Sequence, residues 1–216
     1  GGTITYALKL IEQISIIDSQ NRYVLYLNKD CKNLRFNVGK NFTYRILNFH
    51  YSSVYLRYFW EQFILPFYIF LDKIDLLHSL GYVTPIITTC KKITTIHDIN
   101  YIGHSANMNF IKRILLGFMV NLSALFSTHI ITISKFSKSQ ILKYTLVNND
   151  KITVVLSSGS SDSNPRISEN NILNKYGIKD NYIIAFGSTS PHKNIDRLVL
   201  SFKRIINHYK DLKLVL

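Results

Sequence analysis

Several short stretches carry side chains suited to a charged or hydroxylated ligand. In Thr95-Ile96-His97-Asp98 an imidazole sits beside a carboxylate; the pair is able to move a proton or to hydrogen-bond a hydroxyl. A single histidine is more often structural, and the same alternative stands for Asp75 and His78, expected to flank a second apolar run in Asp75-Leu76-Leu77-His78-Ser79. In Gly187-Ser188-Thr189-Ser190-Pro191-His192-Lys193-Asn194, small residues precede a segment of helical periodicity. There a phosphate can approach the backbone, a helix start offers free N–H groups, and Lys193 adds a full charge. The plainer alternative is an ordinary strand-to-helix turn with a solvated lysine. Gly1-Gly2-Thr3 repeats the logic of a glycine turn opening a helix. His97, Asp98 and His104 lack metal-ligand spacing, and no metal or cofactor is expected.

Whatever these residues bind, regular elements must position them, and the composition permits that. The 216 residues are 47% hydrophobic and 18% charged, enough for one domain and part of another and far from a disordered balance. Short β-branched runs are expected as strands at 23–27, 74–77, 93–96, 129–133, 152–156, 182–186 and 213–216. Between them, apolar spacing predicts helices over 5–16, 109–126, 137–144 and 195–209, the second with Phe110, Ile114, Phe118, Leu122 and Leu125 on one stripe. This alternation predicts an α/β fold with a parallel sheet covered on both faces. Runs such as Ile130-Ile131-Thr132-Ile133 and Tyr182-Ile183-Ile184-Ala185-Phe186 read as buried on both sides. A stretch with six serines at 157–168 reads as linker. The expected organisation is an N-terminal domain over 1–165 lacking its first strand, a linker over 166–180, and the start of a second domain over 181–216.

The formal charge of +13 points to anionic partners, although the basic residues are scattered. Stacking on nucleic acid needs exposed aromatics, whereas Phe63, Phe67, Tyr68 and Phe70 fall in an apolar stripe and read as core. Nucleic acid is therefore not the expected partner, though a basic nucleic-acid-binding protein stays the alternative. An anionic membrane surface is expected instead, approached by residues 51–73 and 109–126, where Arg57, Lys73, Lys112 and Arg113 accompany aromatics. Cys31 and Cys90 stand far apart and require no disulfide, which fits a reducing, cytoplasmic setting. Gly1-Gly2-Thr3 shows no signal pattern and no initiator Met, so the chain reads as starting within a gene. The longest apolar run, 63–71, is far short of a bilayer span.

Taken in order, these segments resemble the family 4-like retaining glycosyltransferases of the GT-B group, which includes bacterial mannosyltransferases. The resemblance covers most of the chain. Trp60-Glu61-Gln62 with Leu65-Pro66, then Asp75 to Ser79, are similar to that family's approach to its fourth strand. Thr95-Ile96-His97-Asp98 looks like its "TIHD" segment, Ile131 to Lys138 like "TVSEFSK", Lys151 to Val155 like "KITVV", and Gly187 to Asn194 like the opening of its donor domain. The resemblance implies two Rossmann-like domains and a nucleotide-diphosphate sugar as donor. It implies a glycan or lipid-linked acceptor in cell-surface polysaccharide synthesis and retention of anomeric configuration without a metal. His97 would contact the donor sugar near the reacting carbon. Gly187, Ser188 and Lys193 would hold the departing diphosphate, Gly2 would sit in the first loop lining the cleft, and His78 and Asp98 would face the acceptor. Three departures stand out: His192 for a frequent Arg, Ser188 for another, and Leu156-Ser157-Ser158-Gly159 for a "PNG" turn. An inactive remnant of such an enzyme is the further alternative.

Overall fold

The computed structural model describes residues 2–31, 36–47, 53–103, 109–157, 169–178, 181–186, 193–209 and 211–216. The chain divides into two compact units, Gly1–Ser157 and Ser158–Leu216. The first unit opens with helix α1 (Gly2–Ile17), strand β1 (Tyr23–Asn28) and strand β2 (Phe42–Leu47). A helical stretch follows: α2 (Val54–Phe59), a π turn (Trp60–Ile64) and α3 (Leu65–Leu71). Then come β3 (Leu76–Ser79), β4 (Lys91–Thr95), the short α4 (Asn100–Gly103) and α5 (Phe110–Phe126). Strand β5 (His129–Thr132), α6 (Lys135–Tyr144) and β6 (Ile152–Val154) complete it.

β3, β4, β5 and β6 form one parallel sheet in that order, and β1 and β2 form a separate parallel pair. This is a Rossmann-like α/β arrangement: chain order and spatial order agree across the four-stranded sheet, and a helix or loop crosses between successive parallel strands. The central pairing sets Ile93 against His129 and Thr95 against Ile131, in parallel. Local signals explain the helix starts. Ser53, Asn109 and Ser134 each accept a backbone N–H of the first turn that would otherwise lack a partner. The π turn lies just before Pro66, whose ring and missing N–H disturb the carbonyl four residues back; a widened turn absorbs that conflict.

The main core gathers Ile96, Ile99, Val120, Ala124, Ile130 and Ile141 between the sheet and helices α5 and α6. A second cluster packs Leu65, Ile69 and Leu77 with Tyr26 and Trp60. The β1–β2 pair is tied to the end of α3 by charge. Arg45 forms an ion pair with Asp72, and the hydroxyl of Tyr26 donates to Asp72 Oδ2 at 2.8 Å. These partners hold the Asp72 carboxyl below its ordinary range against the opposing effect of burial.

Three sequence expectations in the first unit need correction, and one strand there was not expected. β2 went unpredicted because its buried residues, Phe42 and Leu47, lie at its two ends with exposed or half-buried residues between. The stripe of α5 faces outward: Phe110, Ile114, Phe118 and Leu125 are exposed, while Val120, Ser123 and Ala124 face the sheet. Small residues let that inner face approach closely; a Cβ on Gly117 would already stand 3.3 Å from the Tyr101 ring. Phe63, Phe67 and Phe70 are exposed rather than core, since Leu65 and Ile69 make the inward contacts of that helix. His78 lies within β3 and does not flank it.

The second unit holds α7 (Glu169–Lys175), β7 (Tyr182–Ile184), α8 (Ile195–Ile205) and β8 (Lys213–Val215), with β7 and β8 paired in parallel. The residues of β7 were expected to be buried on both faces but are exposed, as is Phe186 at 91%. A two-stranded ribbon with so few elements around it cannot cover both faces.

Candidate functional site

The carboxyl ends of β3 and β4 run side by side and continue as paired loops. Tyr82 N–H donates to Thr95 O at 3.1 Å. His97, two residues past β4, places Nε2 3.1 Å from the main-chain oxygen of Leu80. A carbonyl only accepts, so Nε2 carries a proton, and in the neutral ring Nδ1 is then the acceptor. The His97 carbonyl in turn accepts from Ser137 Oγ at 2.8 Å, which ties the residue to the first turn of α6. Tyr6 of α1 meets the imidazole edge-on with centroids 4.8 Å apart, and Tyr82 approaches it at 6.0 Å. His97 is thereby held at its ring, its backbone and its face, and is 7% exposed.

Asp98 accepts from the Tyr82 hydroxyl at 3.1 Å. Burial first, then the Asp98 charge and this contact, raise the Tyr82 phenol. Tyr82 has φ 51, a left-handed conformation that a bulky side chain rarely adopts. It turns the chain so that one residue reaches both Asp98 and the His97 ring. His78 lies one strand away, with Nε2 2.9 Å from Thr95 Oγ1. Burial pushes the His78 imidazole down to about 4, so it is neutral at physiological pH. His78, His97 and Asp98 therefore gather at the carboxyl end of one parallel sheet, where ligands bind in open α/β folds.

The segment carrying Leu80 and Tyr82 is itself pinned. Gln62 donates to Thr84 O at 3.1 Å and accepts from Ile86 N–H at 2.9 Å. Ser123 Oγ accepts from Thr84 N–H at 3.0 Å. The buried Lys92 ammonium donates to Pro85 O at 3.1 Å and Ile86 O at 2.6 Å. A loop with this many tethers keeps the Leu80 carbonyl fixed beside Nε2 of the imidazole. Tyr6, Tyr82 and Ser137 escaped the sequence reading. Only Ser137 had a local signal, its place in the first turn after a serine cap.

Gly2, Lys193, Gly187 and Ser188 are the remaining candidates. Gly2 is the first residue of α1, at the end of the helix where Tyr6 meets His97. Lys193 is exposed in the second unit, one residue before Asn194, which starts α8 with φ 56 and no side-chain cap. Gly187 and Ser188 lie outside the described residues, as do His104, His192 and most of the serine-rich stretch. Among the described residues, no three His, Cys, Asp or Glu side chains are grouped to hold a metal.

Over 109 residues the chain is 28% identical to the O-antigen chain mannosyltransferase RfbU of Salmonella typhimurium. The match covers 50% of this chain and 28% of that protein, so the chain spans less than a third of the relative's length. No protein-family model matches. The similarity relates this chain to a glycosyltransferase.

Proposed function

We propose that this chain forms the acceptor-side domain, and the beginning of the donor-side domain, of a retaining GT-B glycosyltransferase. It would move a hexose from a nucleotide-diphosphate sugar to a glycan or lipid-linked acceptor in cell-surface polysaccharide synthesis. The observation that carries the reading is the oriented His97, set with Asp98 and His78 at the carboxyl end of a parallel sheet. The similarity to RfbU supports the same class.

Nδ1 of His97 accepts a hydroxyl of the donor sugar beside the carbon that reacts, and the Leu80 carbonyl keeps the ring in the tautomer this requires. As the glycosidic bond to the diphosphate breaks, negative charge grows on the leaving group while the sugar becomes oxocarbenium-like. Lys193 and the backbone N–H groups around Gly187 and Ser188 neutralise that charge, the largest barrier to be lowered. Neutral His78 and the Asp98–Tyr82 pair stand on the acceptor side. No side chain is assigned as a base, and no metal enters the mechanism.

The acceptor is lipid-linked in this reading. Two exposed aromatic helix faces support docking at the cytoplasmic side of an anionic membrane: Phe59, Phe63, Phe67 and Phe70 on residues 54–71, and Phe110, Ile111, Ile114 and Phe118 on α5. α5 contains Lys112 and Arg113 and no acidic residue. Such helices lie in the headgroup layer with bases toward anionic lipid. No helix among the described residues is long and apolar enough to cross a membrane.

The experiment is transfer from a panel of nucleotide-diphosphate sugars to lipid-linked acceptors in bacterial membranes. Product formation that falls by ~100-fold or more on Lys193→Ala supports the reading. No turnover together with a salt-dependent shift on oligonucleotide would replace it with nucleic-acid binding.

A further inference from the structure

Three residues other than glycine have positive φ among the described residues: Lys73, Tyr82 and Asn194. Two have ordinary reasons. Lys73 follows the last turn of α3, where its N–H and that of Ile74 return to Phe70 O and Ile69 O, a common way for helices to end. Asn194 precedes α8 and is of a type that tolerates the left-handed region. Tyr82 has neither reason. It lies in the loop between β3 and β4, beside Gly81, which can take a left-handed φ at little steric cost and does not. A Cβ at Gly81 would meet nothing within 4 Å, so crowding does not require glycine there. The turn places its strain one residue later, on a bulky side chain.

That side chain and its backbone reach all three candidates at the sheet's carboxyl end. The Tyr82 hydroxyl donates to Asp98 Oδ1 at 3.1 Å, and the ring lies 6.0 Å from the His97 imidazole at 63°. Tyr82 N–H donates to the oxygen of the fully buried Thr95, whose Oγ1 lies 2.9 Å from His78 Nε2. The phenol ring also packs against the main core. The loop is held on both sides of Tyr82, so its φ has little room to relax. Before it, Leu80 O meets His97 Nε2; after it, Thr84 N–H meets Ser123 Oγ. Strained residues persist where the surroundings over-determine them, and they cluster at working sites.

We propose that Tyr82 is a positioning residue for sugar transfer. It holds the Asp98 carboxylate and the His97 ring in one arrangement, and its left-handed backbone is the strain that this arrangement requires. The inference rests on the reading in which His97 and Asp98 meet sugars. Tyr82 acts through those two side chains and is assigned no contact with substrate. A reacting group displaced by about 1 Å can lose about 100-fold in rate, so the hold on these two side chains matters.

The test reads kcat and KM in the longest form of the protein that transfers sugar. Tyr82→Phe keeps the ring and the backbone and removes only the donor to Asp98. It should lower kcat about 10-fold, with donor and acceptor KM within about 2-fold and the melting temperature nearly unchanged. In an Asp98→Ala background the same substitution should cost less than about 2-fold, because the hydroxyl then has no carboxylate to hold. Equal losses in the two backgrounds overturn the proposal. Strain is read separately, from melting of the 216-residue chain. Tyr82→Gly and Tyr82→Ala both lack the phenol, and only glycine takes this φ without cost. At an ordinary position Ala is the more stable of the two. Here Tyr82→Gly should melt about 2 °C or more above Tyr82→Ala, and the reverse order contradicts the proposal. His97→Ala in the same transfer assay separates the two failures. If His97→Ala transfers at the wild-type rate, the functional reading falls and this inference falls with it. If His97→Ala loses transfer while Tyr82→Phe stays within about 2-fold of the wild type, only this inference falls.

Discussion

Nε2 of His97 lies 3.1 Å from the main-chain oxygen of Leu80, and this one contact decides which ring nitrogen is free to meet a ligand. Nitrogen NMR on labelled protein should find neutral His97 protonated at Nε2. The opposite tautomer would leave Nδ1 unable to accept a sugar hydroxyl and would contradict the role assigned to it.

His78 makes stability depend on pH. Its imidazole is lowered to about 4 by burial, from an ordinary 6.5. Between those values the unfolded chain binds a proton that the folded protein refuses, so stability is complete above about 6.5 and falls as pH drops toward 4. The full effect is about 3 kcal/mol. His78→Gln keeps a polar partner for Thr95 but cannot titrate. Denaturant melts from pH 7.5 to 4 should show a shallower decline for the variant, and parallel curves would count against the burial of a neutral imidazole.

Ser137 joins the backbone of His97 to α6 through a buried 2.8 Å hydrogen bond. Ser137→Ala leaves the His97 carbonyl without that donor and should cost about 1–3 kcal/mol. For a chain of this length that lowers the melting temperature by roughly 2–4 °C per kcal/mol. A variant that melts with the wild type would show that the tether carries no weight.

These residues also show where sequence reading stops. Strand positions at Tyr23, His129 and Ile152 were legible because runs of β-branched residues in parallel sheets stand out. His97 and Asp98 could be placed past the carboxyl end of a strand from the apolar run before them, whereas His78, expected to flank its strand, lies within it. Burial direction was not legible on α5. Periodicity finds an apolar stripe but cannot say whether it faces a sheet, and here the smaller residues Val120, Ser123 and Ala124 took the core side. Nor was the hold on His97, since Tyr6 and Leu80 meet it only through the fold.

The outward aromatic faces lead to a membrane prediction. Phe63 and Phe118 are 66% and 56% exposed, so Phe63→Glu and Phe118→Glu should leave the melting temperature nearly unchanged. Sedimentation with vesicles should increase with acidic lipid and decrease with salt for the wild type, with each nearby base contributing about 1 kcal/mol. Each variant should bind severalfold less. Equal sedimentation of all three proteins, or none at low salt, would remove the membrane from the account and point to a soluble acceptor.

If His97 acts on a sugar during transfer, kcat/KM of His97→Ala reads that role. The assay should use the longest form of the protein that transfers sugar from its best nucleotide-diphosphate donor, with Thr145→Ala, which removes a buried hydroxyl at the far end of α6, as a control for loosened packing. His97→Ala should lose about 100-fold or more, mainly in kcat, and the control only a little. A His97→Ala protein that transfers sugar within a few-fold of the wild type would contradict it.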